Sequence, residues 1–588
     1  MPDATAIACA IRGGYATCTF RELDDDATAL ARGLVDLGVA RGMRIVLLVK
    51  PGIEFVKLVF ALLRCGAVTV LVDPGMGRMH LVNCLAAAEP EGFVAISAAQ
   101  AMRTLLRGRF PRARFNVTVG HRWFWGGGTY GQLLERGREN TSVLPATHAD
   151  DPAAIIFTSG STGPPKGVLY THRMFDTQAC EIQRAYDLRP GGVDLACFPL
   201  FGLFNSAMGV TTVFPAMDFS RPASADPRKL LAAANQWKVT QAFASPAVWD
   251  NISRHCEATG ERIPTLRKVF SCGAPVPAAV LKRTLAMVHP EAEMHTPYGA
   301  TEALPVATIE AREVLGETAA KTNEGAGVCV GLRFDSIEWR VIRINDEPIA
   351  TIEEAEELGV GEIGELVVRG AQVSPEYVTE SGEARNTNEV PAHSPLRGGL
   401  GRGWAASTRI NHPSLTLPLK GRGPEDSSRA NARAKILDGE KVWHRMGDVG
   451  YLDDAGRFWY CGRKSHRIET DDGTLFTECV EAIFNQHPSV SRSALVGVGT
   501  SSAKTPVVCI ETTDDYFDAN GDWYPGNRAY EGLASELARI AARQFARSPL
   551  QEILFHGGFP VDVRHNAKIN REALARWATE ELAWTPPD

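Results

Sequence analysis

The chain has 588 residues and carries 62 Lys and Arg against 69 Asp and Glu, a formal net charge of −7. It is long enough for several domains and at least one extensive apolar core. The charge balance supplies neither the basic field of a nucleic-acid binder nor an extreme acidic tail, so any anionic substrate must be held by local groups. The 12 cysteines are scattered singly from Cys9 to Cys509. They lack the CxxC pairing of a zinc or dithiol motif and fit a reducing compartment.

The N-terminus, MPDATAIACAIRGGY, has no basic start and no continuous apolar core of a signal peptide. The most apolar long stretch, from Arg44 to Val72, is interrupted by Lys50, Glu54, Lys57 and Arg64. A bilayer span would bury those charges at large cost, so a cytoplasmic protein is expected. Apolar positions at helical spacing predict an amphipathic helix from Asp26 to Gly38, stopped by its glycine. RIVLLV then reads as a buried strand, EFVKLVFALLRCG as a helix ending at Gly66, and AVTVLVDPG as a strand with a turn. Strand, helix, strand is the unit of a parallel sheet covered on both faces, and it recurs at AAIIF, VTQAFAS and KVFSCG. The bulk is α/β.

From about Gly361 the texture changes to short strands, GEIGELVVRG and then VWHRMGDVGYLDDAGRFWYCGRK. A hairpin turn at Asp453 to Gly456 predicts a small antiparallel subdomain. After Arg463 comes a compact α+β segment with helices ECVEAIFNQH and YEGLASELARIAARQF and strands SRSALVGVG and TPVVCIET. It is long enough to be a separate domain. Between these parts, Ser381 to Arg433 is rich in Gly, Arg, Pro, Ser and Asn and holds two loosely similar pieces, SPLRGGLGRG and LTLPLKGRG. Its few apolar groups offset little of the entropy lost on ordering, so it is expected to be a disordered surface insertion; the other reading is a basic docking arm.

TSGSTGPPKGV, directly after AAIIF, concentrates the chemistry. Gly160, Gly163 and Gly167 permit close backbone approach, Thr158, Ser159, Ser161 and Thr162 offer hydroxyls, and Lys166 adds a cation, which together suit a phosphate cradle. The Walker spacing is absent, and so are a G-x-S-x-G elbow and an HExxH zinc signature. Isolated histidines such as His172, His295 and His444 read as structural residues flanking the motifs.

With SCGAPV, YGATE, GDVGYLDDAGR and HNAKINREAL following in order, the chain resembles the superfamily of acyl-CoA synthetases, firefly luciferase and peptide-synthetase adenylation domains, from TFREL at Thr19 to Leu574. The resemblance implies a large AMP-binding domain, residues 1–462, and a small mobile C-terminal domain, residues 464–588, with the hinge at Arg463 and Lys464. It implies that Gly273, Ala274 and Pro275 form the adenine-binding turn. In YGATE, Tyr298 would stack on adenine beside Gly299 and Ala300, Thr301 would contact the α-phosphate and Glu302 would hold Mg2+, for which a carboxylate is a suitable hard ligand. Asp448 would accept both ribose hydroxyls, and Arg463 would also touch the nucleotide. Lys568 would reach across to the reacting phosphate, where a mobile ammonium can bridge two anions. Ala567 stands where family members usually carry glycine, which bears on the flexibility of that loop.

CFPLFGLFNSAMGVTTVFP is similar to the family's acyl-pocket segment. Phe201, Gly202, Leu203, Phe204, Ala207 and Met208 would line an apolar slot, with Gly202 where many members carry histidine; ordinary core packing is the other reading. Trp249 is a further wall candidate. The wording of FTSGSTGPPKGVLYTHRMF and FPVDVRHNAKINRE is most similar to the branch that forms β-lactones in bacterial long-chain olefin biosynthesis. That similarity implies ATP-dependent adenylation of a 2-alkyl-3-hydroxy fatty acid, ring closure by the substrate's own hydroxyl, and association with other enzymes of that pathway. An ordinary fatty acyl-CoA synthetase is the alternative, since Gly473 aligns with a glycine of the family's pantetheine tunnel and leaves coenzyme A open as a second substrate. A non-catalytic nucleotide-binding protein is a third reading, opposed by the presence of Lys166, Glu302 and Lys568.

Overall fold

The computed structural model describes residues 1–157, 165–378, 427–500, 503–513, 528–545, 550, 552–561 and 569–583. The alternation read in the sequence is present at the start: strand Arg44–Leu48, helix Ile53–Arg64 and strand Val68–Leu71, with the strands parallel in the register Ile45 to Thr69. Gly66, with φ +70, turns the chain out of that helix in the left-handed conformation that a side chain disfavours. The first helix differs from the expected one, running Phe20–Asp36. Thr19 accepts the Glu22 N–H on its hydroxyl while the Glu22 carboxylate accepts the Thr19 N–H. This reciprocal cap starts the helix before its apolar stripe begins, so periodicity alone places the start too late.

Among the described residues, two large sheets each have a parallel centre and one antiparallel edge. One orders Glu293–His295, Lys268–Ser271, Gln241–Ala244, Val193–Ala196, Thr211–Phe214, Thr5–Ile11 and Gly14–Thr19. The N-terminal strand thus sits parallel to a segment two hundred residues away, Ile7 opposite Thr212. The other sheet is centred on Arg44–Leu48, Val68–Leu71 and Pro152–Phe157, with Gly167–Thr171 antiparallel to the last of these. A third, antiparallel sheet contains Gly364–Gly370, Lys441–Leu452 and Phe458–Arg463. The expected hairpin is present at Asp453 to Gly456, closed by the Gly456 N–H on the Asp453 carbonyl at 2.8 Å. Residues beyond Arg463 include a three-stranded sheet, Val490–Thr500, Ala503–Thr512 and Glu552–Phe555, with its own apolar clusters against helices Thr477–Phe484, Arg528–Gln544 and Arg571–Ala583. Among the described residues no helix is long and apolar enough to cross a membrane.

The C-terminal end of the stretch expected to be disordered, Ser381 to Arg433, is ordered. Residues 379–426 lie outside the described residues, but Ser427–Ala434 form a helix with Ala430 buried against Tyr377 and Tyr170. Composition misleads here because two alanines and one asparagine are enough to seat a two-turn helix on an existing surface, whatever the polar residues around them.

A buried polar cluster lies beneath the helix Phe201–Met208. The Asn205 amide donates to Asp194 Oδ2 at 2.7 Å and the Gln241 amide to Asn205 Oδ1 at 3.4 Å. Burial pushes the Asp194 carboxyl up to about 7, against the opposing hydrogen bonds. A raised acid contributes its stability below the unfolded value and loses it as pH rises through the folded one. Asp194→Asn is therefore expected to gain stability over the parent between pH 5 and pH 8, by at most about 4 kcal/mol, read from thermal unfolding at both pH values. An equal difference at the two pH values would contradict this.

Candidate active site

Parallel strands bring ligand-binding loops to their carboxyl ends, and the large cleft of this protein, about 2790 Å³, opens there. Its walls include Lys50 and Asp73 after two strands of one sheet, Gly273, Ala274 and Pro275 after Lys268–Ser271 of the other, and Tyr298 to Thr301. Asp448 and Arg463 approach from the antiparallel sheet, and Glu481 and Arg571 from the C-terminal part. That space exceeds what one small ligand fills and suits a nucleotide together with a long second molecule.

The Asp448 side chain is only 7 % exposed and is held from two sides. The Tyr298 hydroxyl donates to its Oδ2 at 2.5 Å, and Arg463 lies 3.0 Å from its Oδ1 while also donating to the Met446 carbonyl at 3.0 Å. Burial and the neighbouring Asp448 carboxylate push the Tyr298 hydroxyl well above the usual phenol range. The Asp448 charge holds Arg463 firmly protonated despite its burial. Tyr298 thus bonds directly to Asp448 here, a contact that the family pattern, in which its ring stacks on adenine, does not imply.

Glu302 and Lys166 come together on a residue the sequence reading passed over, Tyr377. Its hydroxyl donates to Glu302 Oε1 at 2.8 Å, and Lys166 Nζ lies 5.2 Å from its ring centroid. The carbonyl of Thr301 accepts from the Tyr170 hydroxyl at 2.6 Å, which ties the YGATE turn to the strand that follows the glycine-rich loop. Thr158, Ser159, Gly160, Ser161, Thr162, Gly163 and Lys568 lie outside the described residues. Lys464 donates to Glu365 Oε2 and to the Asn345 carbonyl, each at 3.0 Å, and burial lowers its pKa despite the Glu365 charge.

Of the six acyl-pocket candidates the structure brings three together. Phe201, Phe204 and Met208, on one face of the helix Phe201–Met208, line an apolar internal cavity of about 40 Å³ with Ile182, Tyr186 and Leu188. The Phe201 ring stacks on Phe243 at 3.8 Å, and both rings also line the open cleft, so the pair forms a wall between the two spaces. Leu203 packs instead into the core under the other sheet, and Ala207 is exposed. Gly202 is buried where a Cβ would lie 2.9 Å from the Phe214 ring and 3.1 Å from Thr212. The helical repeat explains the division, since residues at i, i+3 and i+7 share a face and the others turn away. Trp249 is no wall candidate: it is fully buried in the core of its own sheet, with Nε1 donating to the Phe270 carbonyl at 2.9 Å.

The sequence matches the model of the AMP-binding enzyme family over residues 1–378. It is 42% identical to an olefin beta-lactone synthetase of Stenotrophomonas maltophilia strain K279a, over 99% of this chain and 96% of that protein. It is 25% identical to a 4-chlorobenzoate--CoA ligase of an Arthrobacter species, over 91% of this chain and 90% of the other. The fold is similar to that of the anthranilate CoA ligase AuaEII solved with anthranoyl-AMP, with a TM-score of 0.70 at 18% identity over 99% of this chain and 95% of that one. It is likewise similar to the Bacillus subtilis O-succinylbenzoate coenzyme A synthetase solved with ATP and magnesium, with a TM-score of 0.67 at 17% identity over 97% of each chain.

A large side chain at position 202 tests the packing around this helix. Gly202→His is expected to cost about 2 kcal/mol or more, because Phe214 sits on strand Thr211–Phe214 and cannot retreat without disturbing the core. An unfolding midpoint equal to the parent's would show that the wall yields.

Proposed function

The chain belongs to the AMP-binding enzyme family and is an AMP-forming ligase, and we propose that its cleft joins ATP to a long-chain 2-alkyl-3-hydroxy acid and closes the product to a β-lactone. The observation that carries this reading is the 42% identity to an olefin beta-lactone synthetase over 99% of the chain. The ribose diol would bond to Asp448, whose two oxygens match two vicinal hydroxyls, beside Tyr298 and Arg463. Gly273, Ala274 and Pro275 would border the base, and Thr158 to Gly163 with Lys166 would take the phosphates.

The residues present also fit a magnesium ion. Among the described residues no group of three or more His, Cys, Asp or Glu is arranged to hold a metal. Magnesium, however, is characteristically held by one or two carboxylates together with substrate phosphates, and Glu302 is a carboxylate beside Lys166 on the shared Tyr377 ring. When bound, the ion would neutralise phosphate charge as pyrophosphate leaves. The carboxylate of the acid would attack the α-phosphorus, forming the acyl–phosphate bond as the bond to pyrophosphate breaks. Lys568 would be placed between the two anions only as that charge is shared. The 3-hydroxyl would then attack the acyl carbon, AMP would leave with the bonding pair, and the hydroxyl proton would pass to water. Enforced proximity within one molecule replaces a second substrate.

A second reading, transfer to coenzyme A, draws on Gly473. It has φ +136, and among the described residues no atom other than its chain neighbours lies within 4 Å of where its side chain would begin, which leaves room for another molecule. Incubation with ATP, Mg2+ and a 2-alkyl-3-hydroxy fatty acid, with and without coenzyme A, separates the two. A β-lactone formed without coenzyme A is the expected product; a thioester that requires it would overturn the lactone reading.

Two substitutions probe the nucleotide. Asp448→Ala is expected to weaken ATP binding about ten-fold, since charge-assisted hydrogen bonds to a ligand are worth more than about 1.4 kcal/mol. Lys568→Ala is expected to slow acid-dependent pyrophosphate release at least about a hundred-fold while ATP affinity stays near the parent's, because its contact strengthens in the transition state. Pyrophosphate release at the parental rate would remove Lys568 from that role.

A further inference from the structure

The environment of Tyr377 contains more than its bond to Glu302. Its backbone is gripped by Asn431 of the helix Ser427–Ala434: the Tyr377 N–H donates to Asn431 Oδ1 at 2.7 Å, and Asn431 Nδ2 donates back to the Tyr377 carbonyl at 3.0 Å. Lys435, directly after that helix, is 9 % exposed and lies with Nζ 5.5 Å from the Tyr377 ring centroid. The same Nζ donates to the Ser374 carbonyl at 2.5 Å, and the Ser374 N–H donates to the Glu302 carbonyl at 2.8 Å. Lys435 is therefore joined to the Glu302 side chain through the Tyr377 ring and to the Glu302 backbone through Ser374.

Lys435 is buried against one carbonyl and one ring face, with the Glu302 and Glu376 charges acting on it without a direct ion pair; burying an ammonium in this way costs several kcal/mol, and a Met or Leu would fill the same volume without that cost. Two lysines, Lys166 and Lys435, also share this one aromatic ring. Simple packing explains neither feature, whereas a site that must receive a highly anionic ligand explains both. Glu302 Oε1 accepts the Tyr377 hydroxyl, and Oε2 would receive the cation. Resting on the nucleotide reading above, we propose that Lys435 and Tyr377 are positioning residues of the metal–phosphate site: Lys435 fixes the tyrosine ring, and the tyrosine hydroxyl fixes the Glu302 carboxylate in the orientation that receives magnesium.

The test measures ATP binding by calorimetry across a magnesium titration, without any acid, so that it does not depend on the identity of the acid. Tyr377→Phe keeps the ring and removes the hydroxyl, while Lys435→Met keeps the length and removes the charge. Each is expected to raise the half-saturating magnesium concentration about ten-fold, as loss of a residue that orients a metal ligand commonly does. Because the two act through one chain of contacts, the double variant is expected to show about the same ten-fold shift instead of a hundred-fold one. Lys435→Arg restores the cation and is expected to return the value to within about three-fold of the parent. Metal-free ATP binding should stay within about two-fold throughout, because Lys166 and Asp448 are untouched.

A Tyr377→Phe variant with the parent's magnesium dependence overturns the proposal, as does a Lys435→Met variant that only lowers the unfolding temperature. If Lys435→Met does not fold, Tyr377→Phe decides alone. A parent chain that binds ATP neither with nor without magnesium overturns the nucleotide reading on which the proposal stands, and the two failures are thereby distinguishable.

Discussion

Asp448 is a carboxylate buried where three separate stretches of chain meet, and the geometry of the cleft depends on satisfying it. It lies on strand Lys441–Leu452, Arg463 on the neighbouring strand Phe458–Arg463, and Tyr298 on Tyr298–Ala300 at the other end of the sheet path. Four strand spacings separate the first and last of these, about 19 Å if the sheet were flat. A 2.5 Å hydrogen bond between their side chains requires the sheet to curl back on itself. A buried carboxylate left without those partners would be costly, so the need to pair it favours the curl that brings the YGATE turn over the cleft.

A second buried carboxylate plays a similar part at the junction with the C-terminal residues. Glu365 and Arg445 have side chains 1 % and 2 % exposed and lie 2.6 Å apart, and Lys464 joins the same oxygen at 3.0 Å. The first residue after Arg463 is thus fastened to the antiparallel sheet by a charge that has no route to water. Removing one partner of such a group is expensive, whereas exchanging one cation for another nearby is much less so. An Arg445 that stays in place would keep Glu365 paired even if Lys464 moved away.

The apolar side of the cleft is governed by packing. The stacked Phe201 and Phe243 rings face the cleft on one side and a small apolar cavity on the other, and the glycine at 202 is what lets the helix lie so close to Phe214. The polar and apolar halves of the site meet at the loop after strand Lys268–Ser271, where Cys272 lines both spaces.

The sequence alone determined the parts that depend on neighbours in the chain. Strand–helix alternation, the hairpin at Asp453 to Gly456 and the glycine stop at Gly66 are all written within short windows, because turn chemistry and hydrophobic period act over a few residues. The start of the first helix was also local, in the Thr19 and Glu22 pair, although periodicity pointed elsewhere. Only the tertiary structure decided what depends on distant partners. Thr5–Ile11 finds its place beside Thr211–Phe214, Trp249 turns into the core, and one helical face selects Phe201, Phe204 and Met208 over Leu203 and Ala207. Asn431 looked like part of a polar insertion ending at Arg433, and it and Lys435 are held in place because Tyr377, more than fifty residues earlier, supplies the backbone groups and the ring they bind. Composition measures how much apolar area a segment brings with it, and it carries no information about the surface on which that segment comes to rest.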